Sequence, residues 1–317
     1  MAVIVPGNAG QVSALAEWSV PAVNDIAWAP DGITLAVATE DHIELFDSLT
    51  RIKLRSLYPQ KTGVLSIAFN PGFPTAWLVS GSRQGSPDTG YSSALELWRG
   101  PDWQPLGILM GSTRALSDLA FSPNGQALAS AYASTVEEDN MIEFLDTRTW
   151  TISATLQAST VLDLTYAPNS QFLAASPDRY AVKIWDLNRK VLAYNLLTSF
   201  TGAINSLAYS PDGTLLATGG YDGEIQLWDT VTGATVRTIQ AGSVVESLAF
   251  SPDSQILAAG SGFQDSVVRL WSVNAGELLR TLEGHSSGIN QLLFSWDGRM
   301  VASASYDGTL RLWGVRP

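Results

Sequence analysis

"SPDGTLLATGGYDGEIQLWD", residues 210–229, contains two signals that decide the fold of this 317-residue chain. The first is the turn sequence "SPDG", and the second is the apolar strand that ends at Trp228. Short runs between them alternate with period two or are continuously apolar, and Gly and Asp interrupt them. This pattern is typical of β-strands. No segment of the chain keeps a helical period over three turns, so the sequence predicts an all-β fold.

Both signals recur seven times. Turns related to "SPDG" begin at Ala29, Asn70, Ser122, Ala167, Ser210, Ser251 and Ser295, at intervals of 41 to 52 residues. The strand ending follows each turn, with its aromatic or apolar mark at Phe46, Trp98, Leu145, Trp185, Trp228, Trp271 and Trp313. Each repeat reads as four short strands. A unit of that size cannot bury a face alone, so neighbouring repeats are expected to stack.

The repeats resemble the WD40 family. The resemblance rests on the period, the "SPDG"-like turn, the literal pairs Trp185–Asp186 and Trp228–Asp229, and one "GH" at Gly284–His285. It covers nearly the whole chain. It implies a seven-bladed β-propeller of four-stranded antiparallel blades, and we expect residues 1–317 to form a single domain of this kind.

The seventh repeat has only four residues after Trp313, too few for an outer strand. Outer strands of the other repeats are expected at Arg51–Leu57, Gln104–Leu109, Thr151–Leu156, Val191–Leu196, Thr235–Ile239 and Glu277–Leu282. Near the N-terminus, Asn8–Trp28 aligns without gaps to Asn274–Phe294, which indicates an outer strand at Gln11–Ala16. We expect it to pair with Leu310–Trp313, so that residues 11–16 complete the blade formed by 289–313. Pairing would cover an open sheet edge, and WD40 propellers commonly close in this way.

Composition excludes several classes of function. With 30 acidic and 18 basic side chains the net charge is −12, which argues against nucleic acid and against an anionic membrane surface as partners. The chain has no cysteine, so disulfides, Cys-ligated zinc and thiol nucleophiles are excluded. Neither a signal sequence nor an apolar run of membrane-spanning length is found. We expect a cytoplasmic protein without a cofactor.

His285, Ser303 and Asp307 first suggest a nucleophilic triad. The WD40 resemblance implies a structural tetrad instead, in which Asp307 fixes the imidazole, Ser303 bridges and Trp313 donates its indole N–H. His42, which follows Asp41, is expected in an exposed turn. The acidic segment "VEEDN", residues 136–140, reads as a solvated loop more readily than as a metal site. No motif specifies catalysis, so we expect a protein that is not an enzyme and holds no metal.

Repeats two, three and six contain extra residues between their second and third strands, in "GSRQGSPDTGYSSA", "YASTVEEDN" and "GSGFQDS". The resemblance places these loops on the top face, and insertions in repeat proteins collect on the binding face. The heads of the innermost strands, among them Asn24, Asn205 and Asn290, are further positions of that face. Our candidate partner-binding residues are Glu40, Arg83, Tyr91, Glu138, Arg179, Tyr221, Glu246, Phe263 and Tyr306. Aromatic and Arg side chains are common binding hot spots.

The favoured hypothesis is a protein–protein interaction module that binds a protein or peptide on the top face. Its acidic residues favour a basic partner segment. Two alternatives stay open. The chain could be a small-ligand-binding or hydrolytic propeller with a site at the channel mouth, or a recognition domain of a larger multidomain protein.

Overall fold

Each repeat folds into a four-stranded antiparallel sheet in the computed structural model of the chain, which describes residues 1–72, 76–86, 88–133, 140–176 and 180–316. The topology sorts the strands into seven sheets of four, in chain order apart from the first strand. The predicted fold class, an all-β seven-bladed β-propeller, is therefore confirmed. Among the described residues, no helix has the length and apolar character needed to cross a membrane.

The chain divides into two compact units. The N-terminal unit is Asn24–Asp178, and the C-terminal unit combines Met1–Val23 with Arg179–Pro317. Strands of the N-terminal unit are β2 (Asp25–Trp28), β3 (Thr34–Ala38), β4 (Ile43–Asp47), β5 (Ile52–Leu57), β6 (Val64–Phe69), β7 (Trp77–Ser86), β8 (Gly90–Arg99), β9 (Gln104–Ser112), β10 (Ala115–Phe121), β11 (Ala127–Ala133), β12 (Met141–Asp146), β13 (Thr151–Gln157), β14 (Leu164–Tyr166) and β15 (Phe172–Ala175).

Strands of the C-terminal unit are β1 (Val12–Ser19), β16 (Ala181–Asp186), β17 (Val191–Leu197), β18 (Ile204–Tyr209), β19 (Leu215–Gly220), β20 (Glu224–Asp229), β21 (Thr235–Gln240), β22 (Val245–Phe250), β23 (Ile256–Ser261), β24 (Val268–Ser272), β25 (Leu278–Leu282), β26 (Ile289–Phe294), β27 (Met300–Ser305) and β28 (Thr309–Val315). A short 3-10 helix, Ala9–Gln11, precedes β1. Whether the whole chain forms a single domain stays a prediction.

The repeated turn is closed by its own polar residues. In the fifth repeat Ser210 Oγ donates to Asp212 Oδ1 over 2.6 Å and accepts the N–H of Leu215 over 2.9 Å. The fourth turn residue has a left-handed backbone, with φ at 75° in Gly213, and glycine adopts this conformation without a steric cost. The turn therefore fixes where the second strand of the repeat begins.

Apolar faces of adjacent sheets pack together inside each unit. In the C-terminal unit one cluster joins Val268 and Leu270 of the sixth sheet to Ile289, Leu292 and Trp313 of the seventh. This is the location expected for the tryptophan mark, because an isolated four-stranded sheet leaves its apolar faces exposed. Burying them against neighbours positions the connections at the strand ends.

The N-terminal strand completes the seventh sheet, as predicted. β1 pairs antiparallel with β28 in a register that places Val12 opposite Val315 and Ala14 opposite Trp313. The strand begins one residue later than expected, because Gln11 lies in the 3-10 helix, and it continues to Ser19. Residues before the helix are also fixed, since Ile4 is fully buried and its N–H donates to the carbonyl oxygen of Gly298 over 2.8 Å. That anchor was not predicted.

Candidate functional site

Three aromatic side chains of the C-terminal unit project from connections between second and third strands. Tyr221, Phe263 and Tyr306 are 66%, 65% and 55% exposed. Each backbone is hydrogen-bonded to the segment before the innermost strand of the same sheet. The N–H of Tyr221 donates to the carbonyl oxygen of Ala203 over 3.0 Å, and the N–H of Tyr306 donates to that of Gly288 over 3.0 Å. Beside Phe263, the N–H of Gly262 donates to the carbonyl oxygen of Val244 over 2.9 Å. The aromatic rings are therefore displayed from fixed backbone positions.

Phe263 and Tyr306 form a stacked pair. Their ring centroids lie 5.0 Å apart with an angle of 15° between the planes. Burial is the larger cause that raises the pKa of the Tyr306 hydroxyl. The charge of Glu246, at the head of β22, raises that pKa further. We call Glu246, Phe263 and Tyr306 the aromatic surface. It places an acidic group beside two exposed rings.

Glu246 has little compensation for its charge. Burial raises the pKa of its carboxyl group, and its contact with Asn205 Nδ2 is long, at 3.4 Å. Among the described residues it takes part in no ion pair. The neighbouring Asp265 is paired with Arg269, so that guanidinium group is committed elsewhere. A cation bound here would neutralise the carboxylate.

The insertion in repeat two is not a loop. It extends the second and third strands into a hairpin, with Arg83 opposite Ser93 and Gly85 opposite Tyr91. Arg83 is exposed, but its Nη1 donates to the carbonyl oxygen of Leu116 over 3.1 Å. Tyr91 is partly buried. These two candidates belong to the N-terminal unit and lie on a paired ribbon.

The remaining acidic and basic candidates are less informative. Glu40 is exposed, and its carbonyl oxygen accepts the N–H of Gly63 over 2.6 Å. Glu138 and Arg179 lie outside the described residues, as does the acidic segment 136–139. The described residues contain no group of three His, Cys, Asp or Glu side chains arranged to hold a metal ion.

The Asn side chains at the heads of inner strands are used inside the fold. Asn24 Nδ2 donates to the carbonyl oxygen of Val64 in the next sheet over 2.7 Å, and Asn205 Nδ2 donates to that of Val245 over 3.1 Å. Asn290 Nδ2 donates in the same way to the carbonyl oxygen of Val23. These amide N–H groups are used inside the fold, and partner contact at the three positions stays a prediction.

His285, Ser303, Asp307 and Trp313 form one hydrogen-bonded chain. The distances are 3.0 Å from His285 Nδ1 to Asp307 Oδ2, 2.8 Å from His285 Nε2 to Ser303 Oγ, and 2.8 Å from Trp313 Nε1 to Ser303 Oγ. Ser303 is fully buried. A buried hydroxyl that accepts the indole N–H cannot meet a substrate without local unfolding, so the geometry disfavours a nucleophilic role.

The electrostatics of this chain match its burial. Desolvation lowers the pKa of His285, although Asp307 opposes the change. Burial acts to raise the pKa of Asp307, but hydrogen bonds from Thr309, the Ser286 N–H and His285 outweigh it and hold that pKa below its usual value. Both shifts favour a neutral imidazole beside an ionised carboxylate at neutral pH.

His42 differs from its prediction. It is only partly exposed, its Nε2 lies 2.9 Å from Glu44 Oε1, and its ring stacks on Tyr58 at 5.5 Å. Lys53 Nζ reaches the same Glu44 oxygen over 2.6 Å. Instead of an isolated exposed turn residue, His42 is therefore a member of a small network with Glu44, Lys53 and Tyr58.

A row of polar side chains on the inner strands of the N-terminal unit escaped the sequence analysis. Ser66 Oγ lies 3.0 Å from Asp25 Oδ2 and 3.3 Å from Asp118 Oδ1. Burial raises the pKa of Asp118, and the Asp163 side chain is among the hydrogen-bonding groups that oppose this. We call Asp25, Ser66, Asp118 and Asp163 the inner carboxylate chain. The sequence signal was available, because the same position holds Ser206, Ser247 and Gln291 in the last three repeats.

Comparison with known proteins identifies the repeat. The sequence profile described as "WD domain, G-beta repeat" matches residues 103–143, 194–229, 233–272 and 276–314. "Cell division cycle 20.5, cofactor of APC complex" of Arabidopsis thaliana is 28% identical over 298 residues, 92% of this chain and 55% of that protein. "WD repeat-containing protein slp1" of Schizosaccharomyces pombe is 26% identical over 318 residues, 97% of this chain and 53% of that protein.

A third relative extends the comparison beyond these two. "COMPASS component SWD3" of Saccharomyces cerevisiae is 32% identical over 206 residues, 61% of this chain and 62% of that protein. The chain spans about half the length of the curated relatives it matches, from 53% to 62% in these three. The WD40 profile matches four segments of the chain, and the structure has seven four-stranded sheets. The chain therefore belongs to the WD40-repeat family.

Proposed function

We propose that this chain is a non-catalytic protein-interaction module that binds a protein or peptide segment at the aromatic surface of its C-terminal unit. The observation that carries the proposal is the exposed Phe263–Tyr306 stack beside Glu246. Large exposed aromatic side chains on fixed backbone bury much area at little entropic cost when a partner covers them. Tyr221, on the neighbouring sheet, offers a further anchor.

Relatives support an interaction role. One is named a cofactor of the APC complex, and another is named a component of COMPASS. Both names describe proteins that work within assemblies. The similarity covers only part of each relative, so the partner is inferred from the chemistry of this chain.

That chemistry favours a basic partner segment. The chain carries a net charge of −12, and Glu246 has no cation beside it among the described residues. A Lys or Arg side chain placed over Tyr306 or Phe263 would gain a cation–π contact as well as the Glu246 charge. Such a partner would associate faster at low salt than at high salt.

A test is selection from a displayed random peptide library on the folded chain. Enriched peptides should contain Lys or Arg and should bind a Phe263→Ala/Tyr306→Ala variant at least about tenfold more weakly. The matched control is Val231→Ala/Val236→Ala, which removes two exposed apolar side chains of the same unit and should leave affinity unchanged. Glu246→Gln should reduce both the affinity and its dependence on salt.

The outcomes separate the two parts of the proposal. Peptides that bind the double aromatic variant as well as the wild type would contradict the location. Peptides that depend on the aromatic pair but lack basic residues would contradict only the charge preference.

The alternative of a hydrolytic or ligand-binding site needs carboxylates free to act. In the inner carboxylate chain, both oxygens of Asp25 and both oxygens of Asp118 already accept backbone N–H groups, those of Ile26, Ile67, Leu119 and Leu164 at 2.8 to 2.9 Å. We therefore assign these carboxyl groups a structural role. The cytoplasmic location and the possible membership of a larger multidomain protein stay predictions.

A further inference from the structure

Two glycines distinguish the aromatic surface from the equivalent place in repeat five. In repeats five, six and seven a backbone hydrogen bond joins the connection after the second strand to the segment before the innermost strand, in the pairs Tyr221–Ala203, Gly262–Val244 and Tyr306–Gly288. Gly262 therefore holds the position at which the other two repeats carry a tyrosine, and Phe263 is the next residue. Gly288 holds the position of Ala203 and Val244. Two side chains are thus missing beside the aromatic surface.

Gly288 lies against the backbone of both stacked residues. A Cβ atom at this position would lie 3.1 Å from the backbone nitrogen of Phe263 and 3.2 Å from the carbonyl carbon of Gly262. These are backbone atoms, so the whole loop would have to move by a few tenths of an ångström to admit a methyl group. The carbonyl oxygen of Gly288 accepts the N–H of Tyr306 over 3.0 Å. One residue therefore sets the distance between the two loops that carry the rings.

The reason for glycine at these positions is steric rather than conformational. Neither Gly262 nor Gly288 has a left-handed backbone, so an L-residue can adopt the backbone of either position. The equivalent residues Ala203 and Val244 do carry side chains. The consequence of a side chain at position 288 is therefore displacement of the Phe263 loop.

Gly262 leaves one side of the Glu246 carboxylate uncovered. A Cβ atom on Gly262 would lie 3.3 Å from Glu246 Oε1 and 3.0 Å from Val244 Cβ. A tyrosine here, as in repeats five and seven, would begin against that carboxylate oxygen. Without it, a positively charged group of a partner has room beside Glu246.

We propose that Gly288 and Gly262 shape the aromatic surface, because the first lets Phe263 lie against Tyr306 and the second leaves the Glu246 carboxylate open to a partner's cation. The part of this inference that concerns a partner rests on the proposed function. The position of the Phe263 ring is a property of the free chain. Preference for a basic segment then depends on two positioning residues that offer no binding group of their own.

Nuclear magnetic resonance of the free chain tests the position of the ring. Each aromatic ring shifts the proton signals of a ring stacked on it, so the Phe263 ring signals of the wild type should differ from those of Tyr306→Ala. Gly288→Val should move these signals toward the Tyr306→Ala values, and Gly288→Ala should move them less in the same direction. The matched control is Gly7→Val, because a Cβ atom on Gly7 has no atom within 4 Å, and it should leave them unchanged.

Gly288→Ala adds one methyl group, which keeps the test available if Gly288→Val does not fold. Phe263 signals in the folded Gly288 variants that equal those of the wild type would overturn the proposal.

Binding is measured with the tightest peptide selected from the displayed library. Gly288→Val should weaken it at least about tenfold, and Gly288→Ala should weaken it less. In a Phe263→Ala background Gly288→Val should have no further effect, because it acts through that ring. A merely structural role would weaken binding equally in both backgrounds, and that result would overturn the proposal.

Gly262→Ala tests the second glycine. It should reduce both the affinity for a basic peptide and the dependence of that affinity on salt, and in a Glu246→Gln background it should change neither. A salt dependence equal to that of the wild type would overturn the role of Gly262.

Failure of the proposed function gives a different result. If Phe263→Ala/Tyr306→Ala binds the selected peptides as the wild type does, the binding site lies elsewhere on the chain. The Phe263 signals still decide whether Gly288 positions that ring against Tyr306.

Discussion

In the sixth repeat, the buried indole N–H of the tryptophan has no hydrogen-bond acceptor among the described residues, and a single substitution could supply one. In three repeats the tryptophan indole N–H donates to a hydroxyl of the second strand, in the pairs Trp98–Ser80 at 2.9 Å, Trp228–Thr218 at 3.1 Å and Trp313–Ser303 at 2.8 Å. In the sixth sheet Trp271 pairs with Leu257, so the equivalent residue is Ala259. Among the described residues, the buried Nε1 of Trp271 has no hydrogen-bond partner. We predict that Ala259→Ser stabilises the protein.

The size of the gain follows from two opposing effects. An unsatisfied buried donor costs about 1–3 kcal/mol, and burying a new hydroxyl recovers only part of that. The introduced hydroxyl could donate to the carbonyl oxygen of the cross-strand residue Arg269, as Thr218 Oγ1 does to that of Gln226 over 3.5 Å. We therefore expect about 1 kcal/mol of additional free energy of unfolding.

Urea unfolding followed by tryptophan fluorescence would measure the change. Ala258→Ser is the matched control, because Ala258 is fully buried on the same strand but packs in a different cluster from Trp271. It buries a hydroxyl without meeting an indole and should destabilise by about 1–2 kcal/mol. If Ala259→Ser is no more stable than wild type, or if the indole N–H of Trp271 exchanges with solvent as fast as before, the assignment of the defect is wrong.

Three further predictions concern the ends of the chain, the histidine and the sheet contacts. Ile4→Ala should lower the free energy of unfolding by about 2–4 kcal/mol. The control Val3→Ala, at an exposed position, should change it by less than about 0.5 kcal/mol. Equal effects would show that the first residues are not anchored. His285→Ala should cost about 1–3 kcal/mol above pH 6.5. Because desolvation lowers the pKa of His285, this difference should shrink as pH falls through the folded value. Asn24→Ala should cost about 1 kcal/mol of stability and leave peptide affinity unchanged, and a loss of affinity without loss of stability would contradict its role between sheets.

Strand positions were readable from the sequence because the repeat fixes them. Expected outer strands such as Gln104–Leu109 and Val191–Leu196 agree at their starts with β9 and β17 and end only one to three residues early. Closure through the N-terminal segment was also predictable, since that segment aligns with an outer strand that lacks a preceding blade. The burial of Ile4 was not predictable, because a single apolar residue in a short segment shows no hydrophobic periodicity.

The hairpin in repeat two shows a different limit. Its residues are rich in Gly and Ser and lack apolar alternation, so local preference indicates a loop. Pairing extends from Ser82 to Ser86 because the flanking strands already run side by side and each added pair continues their ladder. Strand register imposed from outside the segment outweighs its own composition.

Side-chain contacts between sheets were the least predictable, because they join residues about one repeat apart. Asn24 and Val64 are 40 positions apart, and Asp118 and Leu164 are 46 positions apart. Within a single repeat, a residue such as Asn24 or Asp118 is recognisable only as a polar side chain next to an apolar strand segment. Reading one position across all seven repeats would have shown the run of Asp and Ser, although not the hydrogen bonds that connect Asp25, Ser66 and Asp118.

These internal contacts narrow the search for a binding surface. In a repeat protein most polar residues recur because each sheet needs the same turn closure and the same connection to its neighbour, and their donors and acceptors are satisfied inside the fold. Asn24, Ser210 and Ser303 all belong to this group. Phe263 and Tyr306 do not, because their rings are exposed and stack on each other. Two large rings stacked in solvent form an apolar surface that a partner could cover, which is why the proposed binding surface is placed there.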